Sequence, residues 1–183
     1  MPELLAACVV RELRPDRGNG VTAIDKAPVR SRAKIGPYGL RSDVQVDRKH
    51  HGGFDKAVYA YAQEDAEFWE RELGRELPAG WFGENLRVSG IDVNGARIGE
   101  QWRIGTDEAS VVLEVTMPRT PCGTFARWVG GDDERGWVKR FGAEGRLGAY
   151  LRVVKRGSVG PGDPIEIVHV PDTELTVLGM FRA

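Results

Sequence analysis

Cys122 is the residue of this sequence that is best placed to do chemistry. It closes the segment PRTPC (residues 118–122), which follows an apolar run and precedes Thr124. The two prolines restrict the loop backbone and reduce the entropy lost in presenting its side chains. Thr124 is predicted to cap a helix. A cysteine at a helix N-terminus, with Arg119 close before it in the sequence, is favoured in the thiolate form.

A thiolate at Cys122 could act as a nucleophile, carry a persulfide or bind a soft metal ion. A buried structural cysteine is the alternative, and the local chemistry leaves both interpretations open. The other cysteine, Cys8, lies within the apolar run LAACVV and is predicted to be a packed core thiol. Two cysteines without a C-x-x-C pair form no disulfide framework and indicate a reducing compartment.

A second stretch, residues 47–56, concentrates polar groups ahead of an apolar strand. His50 and His51 are followed by Gly52 and Gly53, whose backbone could approach a ligand closely or adopt a positive φ. Structural zinc is disfavoured, because neighbouring strand residues point to opposite faces and no other Cys/His cluster completes a site. A polar hairpin turn is the alternative to a ligand site.

A third stretch, GWFGENL at residues 80–86, places two glycines and two aromatic residues before Asn85. It fits either a pocket wall or a tight turn with packed aromatics. The sequence contains no P-loop, G-x-G-x-x-G, G-x-S-x-G or H-E-x-x-H motif, which removes the commonest nucleotide, esterase and metalloprotease interpretations. Further basic residues that could meet a phosphate, or be solvated surface charges, are Lys26, Arg32, Lys34 and Arg146.

The elements that must position these residues are mostly short strands. Frequent Gly and Pro between short apolar runs, many rich in Val and Ile, are typical of β-rich folds. Strands are predicted over 4–12, 41–46, 57–60, 85–89, 101–104, 110–116, 149–154, 164–170 and 175–178. Helices are predicted over 64–73, ending at Gly74, and over 124–129 and 134–141.

These elements predict a mainly β (α+β) fold, a partly closed β-barrel with a few short peripheral helices. The 183 residues suit a single domain, 1–183. The formal net charge of −1 gives no bulk attraction to nucleic acid or membrane. The N-terminus is a poor signal peptide and no apolar run is long enough for a transmembrane helix, so we expect a soluble cytoplasmic protein.

Taken together, these stretches resemble a MOSC domain (molybdenum cofactor sulfurase C-terminal domain) of the stand-alone bacterial YiiM-like branch. The resemblance rests on five pieces that occur in the family's order and cover nearly the whole chain. YiiM-like relatives usually continue into a small helical segment, and we expect this chain to lack it. The matching pieces are KAPV (26–29), HHGGFDKAVYAY (50–61), FGENL (82–86), PRTPC (118–122), and GAYLRV (148–153) followed by Gly162-Asp163.

The resemblance implies a β-rich barrel that binds the molybdenum cofactor (molybdopterin), with Cys122 as the sulfur ligand to the metal. It implies reduction of N-hydroxylated purines or related compounds, with electrons drawn from a separate reductase. We expect no nucleic acid polymer, membrane or pyridoxal phosphate to take part, and a homodimer is left open. Expected cofactor-binding residues are Lys26, Gly52, Gly53, Lys56, Asn85, Arg119 and Thr120. His51 or Asp55 is expected to supply protons, because both residue types can act as general acids.

Two alternatives remain open. Cys122 could bear a persulfide and pass sulfur to a partner, in a carrier or cofactor-binding module without its own catalysis. A metal-free cysteine enzyme would need His51 within hydrogen-bond reach of the Cys122 sulfur and oriented by a carboxylate such as Asp55.

Overall fold

The computed structural model describes residues 1–18, 20–46, 52–130 and 135–183. Eleven strands, four α-helices and one short 3-10 helix, Phe54–Lys56, lie in these ranges. The strands are β1 Glu3–Asp16, β2 Gly20–Pro28, β3 Ala33–Gly36, β4 Gly39–Leu40, β5 Val58–Ala62, β6 Leu86–Ser89, β7 Gln101–Ile104, β8 Val111–Pro118, β9 Ala149–Lys155, β10 Gly157–Val159 and β11 Ile165–His169. The helices are α1 Gln63–Leu73, α2 Gly123–Gly130, α3 Trp137–Glu144 and α4 Val177–Arg182.

Eight strands form one large mixed sheet in the order β11-β7-β8-β9-β5-β6-β1-β2. Among the described strand pairs of this sheet, only β5–β6 is parallel. Its outer strands, β11 and β2, are not hydrogen-bonded to each other in the described part of the chain, so hydrogen bonds do not close the sheet completely. A second sheet has the order β10-β3-β4. The predicted β-rich, partly closed fold is confirmed.

Two packed clusters make the core. One consists of aliphatic side chains and Trp102, mostly from the two sheets. The other is mainly aromatic and lies where α1, α2 and α3 meet the sheet. In that cluster Phe82 stacks on Tyr61 with ring centroids 4.1 Å apart, and Phe125 meets Phe141 edge-on at 4.9 Å. Because Phe125 belongs to α2, burial of this ring fixes the helix that follows Cys122.

The sequence predicted most central elements correctly. Helix α1 ends at Gly74, which adopts the left-handed conformation with φ 62°, as expected. The third predicted helix is shifted toward the C-terminus, to α3, and its expected first residue, 134, lies outside the described residues. Strands β2, β3, β4 and β10 were not predicted.

Two predicted strands are wrong. Residues 41–46 form a turn and irregular chain instead of a strand. The side chain of Asp43 holds this segment in place, because its carboxylate accepts a hydrogen bond from Val10 N at 2.9 Å and also binds the side chains of Asn85 and Lys26. Residues 175–178 lead into α4 instead of a strand. The hydroxyl of Thr176 accepts a hydrogen bond from Gly179 N at 3.0 Å and caps this helix.

Candidate functional site

Cys122 lies between the end of β8 and the start of α2. The carbonyl oxygen of Cys122 accepts the first helical hydrogen bond, from Ala126 N at 3.0 Å, so the cysteine stands at the helix N-terminus as predicted. Thr124, expected to cap this helix, lies within it. Its hydroxyl donates to Asp16 of β1 at 3.2 Å. Cys122 is half-buried, whereas Cys8 is completely buried in the core, as predicted.

Arg119 is a charged partner of the Cys122 thiol. Its guanidinium is almost completely buried, is hydrogen-bonded to the Cys122 side chain, and lies 4.7 Å from the ring centroid of Phe125. Burial lowers the pKa of Arg119, but nearby Tyr150, Tyr59 and Cys122 outweigh burial and raise the pKa above its ordinary value. Arg119 therefore stays cationic and offers a fixed positive charge to the sulfur.

A cleft, which we call the cysteine cleft, opens beside Cys122. It brings together five of the residues that the sequence indicated as functional: Lys26, Lys56, Asn85, Arg119 and Cys122. They come from β2, the 3-10 helix, the segment before β6, and the loop before α2. Lys56 places its ammonium 5.9 Å from the ring centroid of Tyr150, which also lines the cleft. Residues far apart in sequence thus converge on one thiol.

Asp43 is a cleft residue that the sequence analysis missed. Its carboxylate forms an ion pair with Lys26 and accepts a hydrogen bond from the Asn85 side-chain amide at 2.7 Å. The sequence feature that could have indicated Asp43 is that it is the single acidic residue in residues 41–46, a segment otherwise suited to a strand. Three cations and this one carboxylate line the cleft, so its described walls are net positive.

Asn85 owes its position to the preceding residue. The buried carboxylate of Glu84 accepts hydrogen bonds from Gly80 N at 2.7 Å and Phe82 N at 3.0 Å, and it pairs with the buried guanidinium of Arg87 at 2.6 Å. Asn85 then accepts a hydrogen bond from Tyr59 N at 3.1 Å through its side-chain oxygen. The GWFGENL stretch is both a tight turn with packed aromatics and a wall of the cleft.

Other predicted site residues do not line this cleft. Thr120 is exposed, and its carbonyl accepts a hydrogen bond from Arg119 at 3.0 Å. The Gly53 amide, with φ 94°, is bonded to the side chain of Gln45 at 3.0 Å. The carboxylate of Asp55 is exposed and lies 3.7 Å from Arg152.

Gly52 and His51 are the two remaining residues that the sequence predicted for the site. Gly52 is half-buried and is not among the residues that line the cysteine cleft. His51 lies outside the described residues.

The donor set of the cleft fits a molybdenum–pterin cofactor. A thiol suits a soft or borderline metal, and cationic side chains suit the phosphate of the cofactor. In the described ranges there is no group of three or more His, Cys, Asp or Glu residues that could hold a metal ion by themselves. No helix within the described residues is long and apolar enough to cross a membrane.

The fold and cleft define a β-rich domain that presents one cysteine among cations. Residues 47–166 match the MOSC domain family. The chain is 37% identical over 156 residues to the uncharacterized protein YflK of Bacillus subtilis, covering 85% of this chain and 67% of YflK. It is 29% identical over 150 residues to YiiM of Escherichia coli, covering 80% of this chain and 64% of YiiM.

The crystal structure of YiiM from Geobacillus stearothermophilus superimposes with a TM-score of 0.79 at 26% identity, covering 100% of this chain and 83% of that one. The chain belongs to the MOSC domain family and is a YiiM-like member of it. This family is associated with molybdenum cofactor binding. The chain spans about two thirds of the length of YflK and of YiiM.

Proposed function

We propose that this protein binds the molybdenum cofactor and reduces N-hydroxylated purines or related compounds, with Cys122 as the sulfur ligand to molybdenum. The single observation that carries the proposal is the cysteine cleft, where a thiol at a helix N-terminus is hydrogen-bonded to a buried arginine and faces two lysines. When bound, the cofactor supplies a metal that can take oxygen from the substrate and pass it two electrons.

Four residues of the cysteine cleft would hold and orient the cofactor. Arg119 favours the thiolate of Cys122, which is the form that binds a metal. Lys56 and Lys26 offer positive charge to an anionic cofactor, although Lys26 already pairs with Asp43. Asn85, fixed through its contacts with Tyr59 and Asp43, keeps this wall of the cleft in place.

The overall reaction would cleave the N–O bond of an N-hydroxylated compound, consume two electrons and two protons, and release the amine and water. The electrons would come from a separate reductase. His51 remains our prediction for the proton donor. Asp55 is less well placed for that role than the sequence suggested, because its exposed carboxylate does not line the cysteine cleft.

Metal and pterin analysis of protein produced in a cofactor-making host tests the proposal. We expect molybdenum and a fluorescent pterin oxidation product in the wild-type protein, and loss of reducing activity in Cys122→Ser with the fold intact. Cys8→Ala is the matched control and should retain cofactor, since Cys8 lies in the core. Wild-type protein without molybdenum or pterin would refute the proposal.

The second candidate is a persulfide carrier, which the half-buried thiol beside Arg119 also favours. In that case Cys122 would carry one additional sulfur atom, removable by a reductant, in protein that contains no metal. Intact-protein mass spectrometry before and after reduction separates the two candidates.

A further inference from the structure

A second cavity adjoins the cysteine cleft. This open cavity has a volume of about 790 Å³, within the range of roughly 300–1,000 Å³ that is typical of small-molecule sites. Its wall is formed by β3, β4 and the turn between them, together with residues that precede β10. Asp43 and Gln45 line both cavities, so a ligand in the second cavity lies next to the cleft that contains Cys122.

One wall of the second cavity carries an exposed aromatic ring. Tyr38, in the turn between β3 and β4, is 61% exposed and stacks on Phe54 with ring centroids 4.4 Å apart and an interplanar angle of 27°. Phe54 is itself 57% exposed. A ring supported from behind in this way offers a flat surface for a second aromatic system.

The aromatic pair is held in place by the polypeptide around it. The side chain of Gln45 donates a hydrogen bond to the carbonyl of Tyr38 at 3.0 Å and accepts one from Gly53 N at 3.0 Å, which joins the two segments that carry the rings. Gly39, with φ 103°, packs against the carbonyl of Ala57, where a Cβ atom would come within 2.0 Å of the oxygen. The stacking surface is therefore preorganised, which reduces the entropy lost on binding.

The second cavity is also positively charged. Lys34, Arg41 and Arg156 line it, and none of the three forms an ion pair with a described residue. Among the described residues of this wall, Asp43 has the only carboxylate, and it is occupied by Lys26, Asn85 and the backbone of Val10. The whole chain has a formal charge of −1, so this excess of positive charge is local.

We propose that the second cavity binds a phosphorylated planar heterocycle, of the purine nucleoside monophosphate class. The heterocycle stacks on Tyr38, and the phosphate is held by Lys34, Arg41 and Arg156. This proposal rests on the proposed function and refines its substrate class, because a nucleotide in this position lies beside the cleft in which the N-hydroxyl group would react. The preferred substrate is then the nucleotide rather than the free base.

Binding of adenosine 5′-monophosphate to cofactor-free protein, measured by isothermal titration calorimetry, tests this inference. We expect measurable binding of the monophosphate and about tenfold weaker binding of adenosine, because charge-assisted contacts to phosphate are lost. Tyr38→Ala should also weaken binding of the monophosphate by about tenfold, the effect typical of losing one stacking partner. Arg156→Ala should weaken the monophosphate more than adenosine.

Lys139→Ala, which removes an exposed cation of α3 away from the second cavity, is the matched control and should bind like the wild type. Equal affinity for adenosine and its monophosphate, no binding of either, or unchanged binding by Tyr38→Ala would overturn the inference. So would a loss of molybdenum in Tyr38→Ala, because the second cavity would then hold the cofactor. Since nucleotide binding is measured without cofactor, its failure is distinct from failure of the proposed function.

Discussion

Replacing Glu84 by glutamine tests how the wall of the cysteine cleft is built. The Glu84 carboxylate is completely buried. It accepts a hydrogen bond from Arg87 Nε at 2.8 Å and forms an ion pair with Arg87 Nη2 at 2.6 Å, besides the hydrogen bonds from Gly80 N and Phe82 N. In Glu84→Gln an amide group faces these donors, and the guanidinium of Arg87, only 2% exposed, loses its anion. We expect a loss of about 3–5 kcal/mol in the free energy of unfolding, the usual cost of leaving a buried charge without its partner.

Urea unfolding followed by circular dichroism measures this loss. Glu76→Gln, which changes an exposed acid nearby, is the control and should stay within about 0.5 kcal/mol of the wild type. The double variant Glu84→Gln/Arg87→Met should lose less than the sum of the two single variants, with a coupling of at least about 1 kcal/mol. A loss below about 1 kcal/mol in Glu84→Gln would contradict the role that we assign to this ion pair.

Three further predictions concern the thiols and one buried acid. In native protein at pH 8, a disulfide reagent should modify Cys122 rapidly and leave Cys8 unmodified, because burial raises the pKa of Cys8 to about 12. Modification of both thiols at equal rates would contradict this prediction. An unfolded thiol has a pKa of about 8.5, so between that pH and about 12 the Cys8 thiol ionises only in the unfolded protein. The free energy of unfolding is therefore unaffected by Cys8 ionisation below the lower pKa and falls as the pH rises toward 12. Urea unfolding of Cys8→Ala should therefore show a smaller alkaline loss than the wild type. Burial alone would raise the pKa of Asp25, but its hydrogen bonds from Arg11 and Arg14 outweigh burial and hold it below the ordinary value. The ionised Asp25 therefore stabilises the fold above about pH 4, and this stabilisation is lost as the pH falls through the lower folded pKa. In Asp25→Asn, the free energy of unfolding should fall less with acid than it does in the wild type.

The position of Cys122 in the fold was predictable because its determinants are local. A strand that ends at a proline, a stiff loop and a helix start place Cys122 by short-range rules alone, and Arg119 lies in the same loop. The predicted core position of Cys8 is confirmed for the same reason, since an apolar strand run indicates burial without knowledge of its partners.

Long-range pairing explains what the sequence did not reveal. Residues 41–46 have a composition suited to a strand, yet Asp43 meets Lys26 and Asn85, and both contacts depend on how β1 pairs with β2 and β6. Strand β2 itself is short of large apolar residues and gains its conformation from its neighbour. The turn that lines the second cavity likewise depends on Gly39, because a Cβ atom there would come within 2.0 Å of the carbonyl oxygen of Ala57.

X-ray absorption at the molybdenum K-edge tests the central claim most directly. Cofactor-loaded wild-type protein should show sulfur scattering from a protein thiolate in addition to that of the pterin, and Cys122→Ser should show one sulfur neighbour fewer. Cys8→Ala serves as the control and should give the wild-type spectrum. An identical sulfur shell in wild-type protein and Cys122→Ser would contradict the assignment of Cys122 as the ligand to the metal.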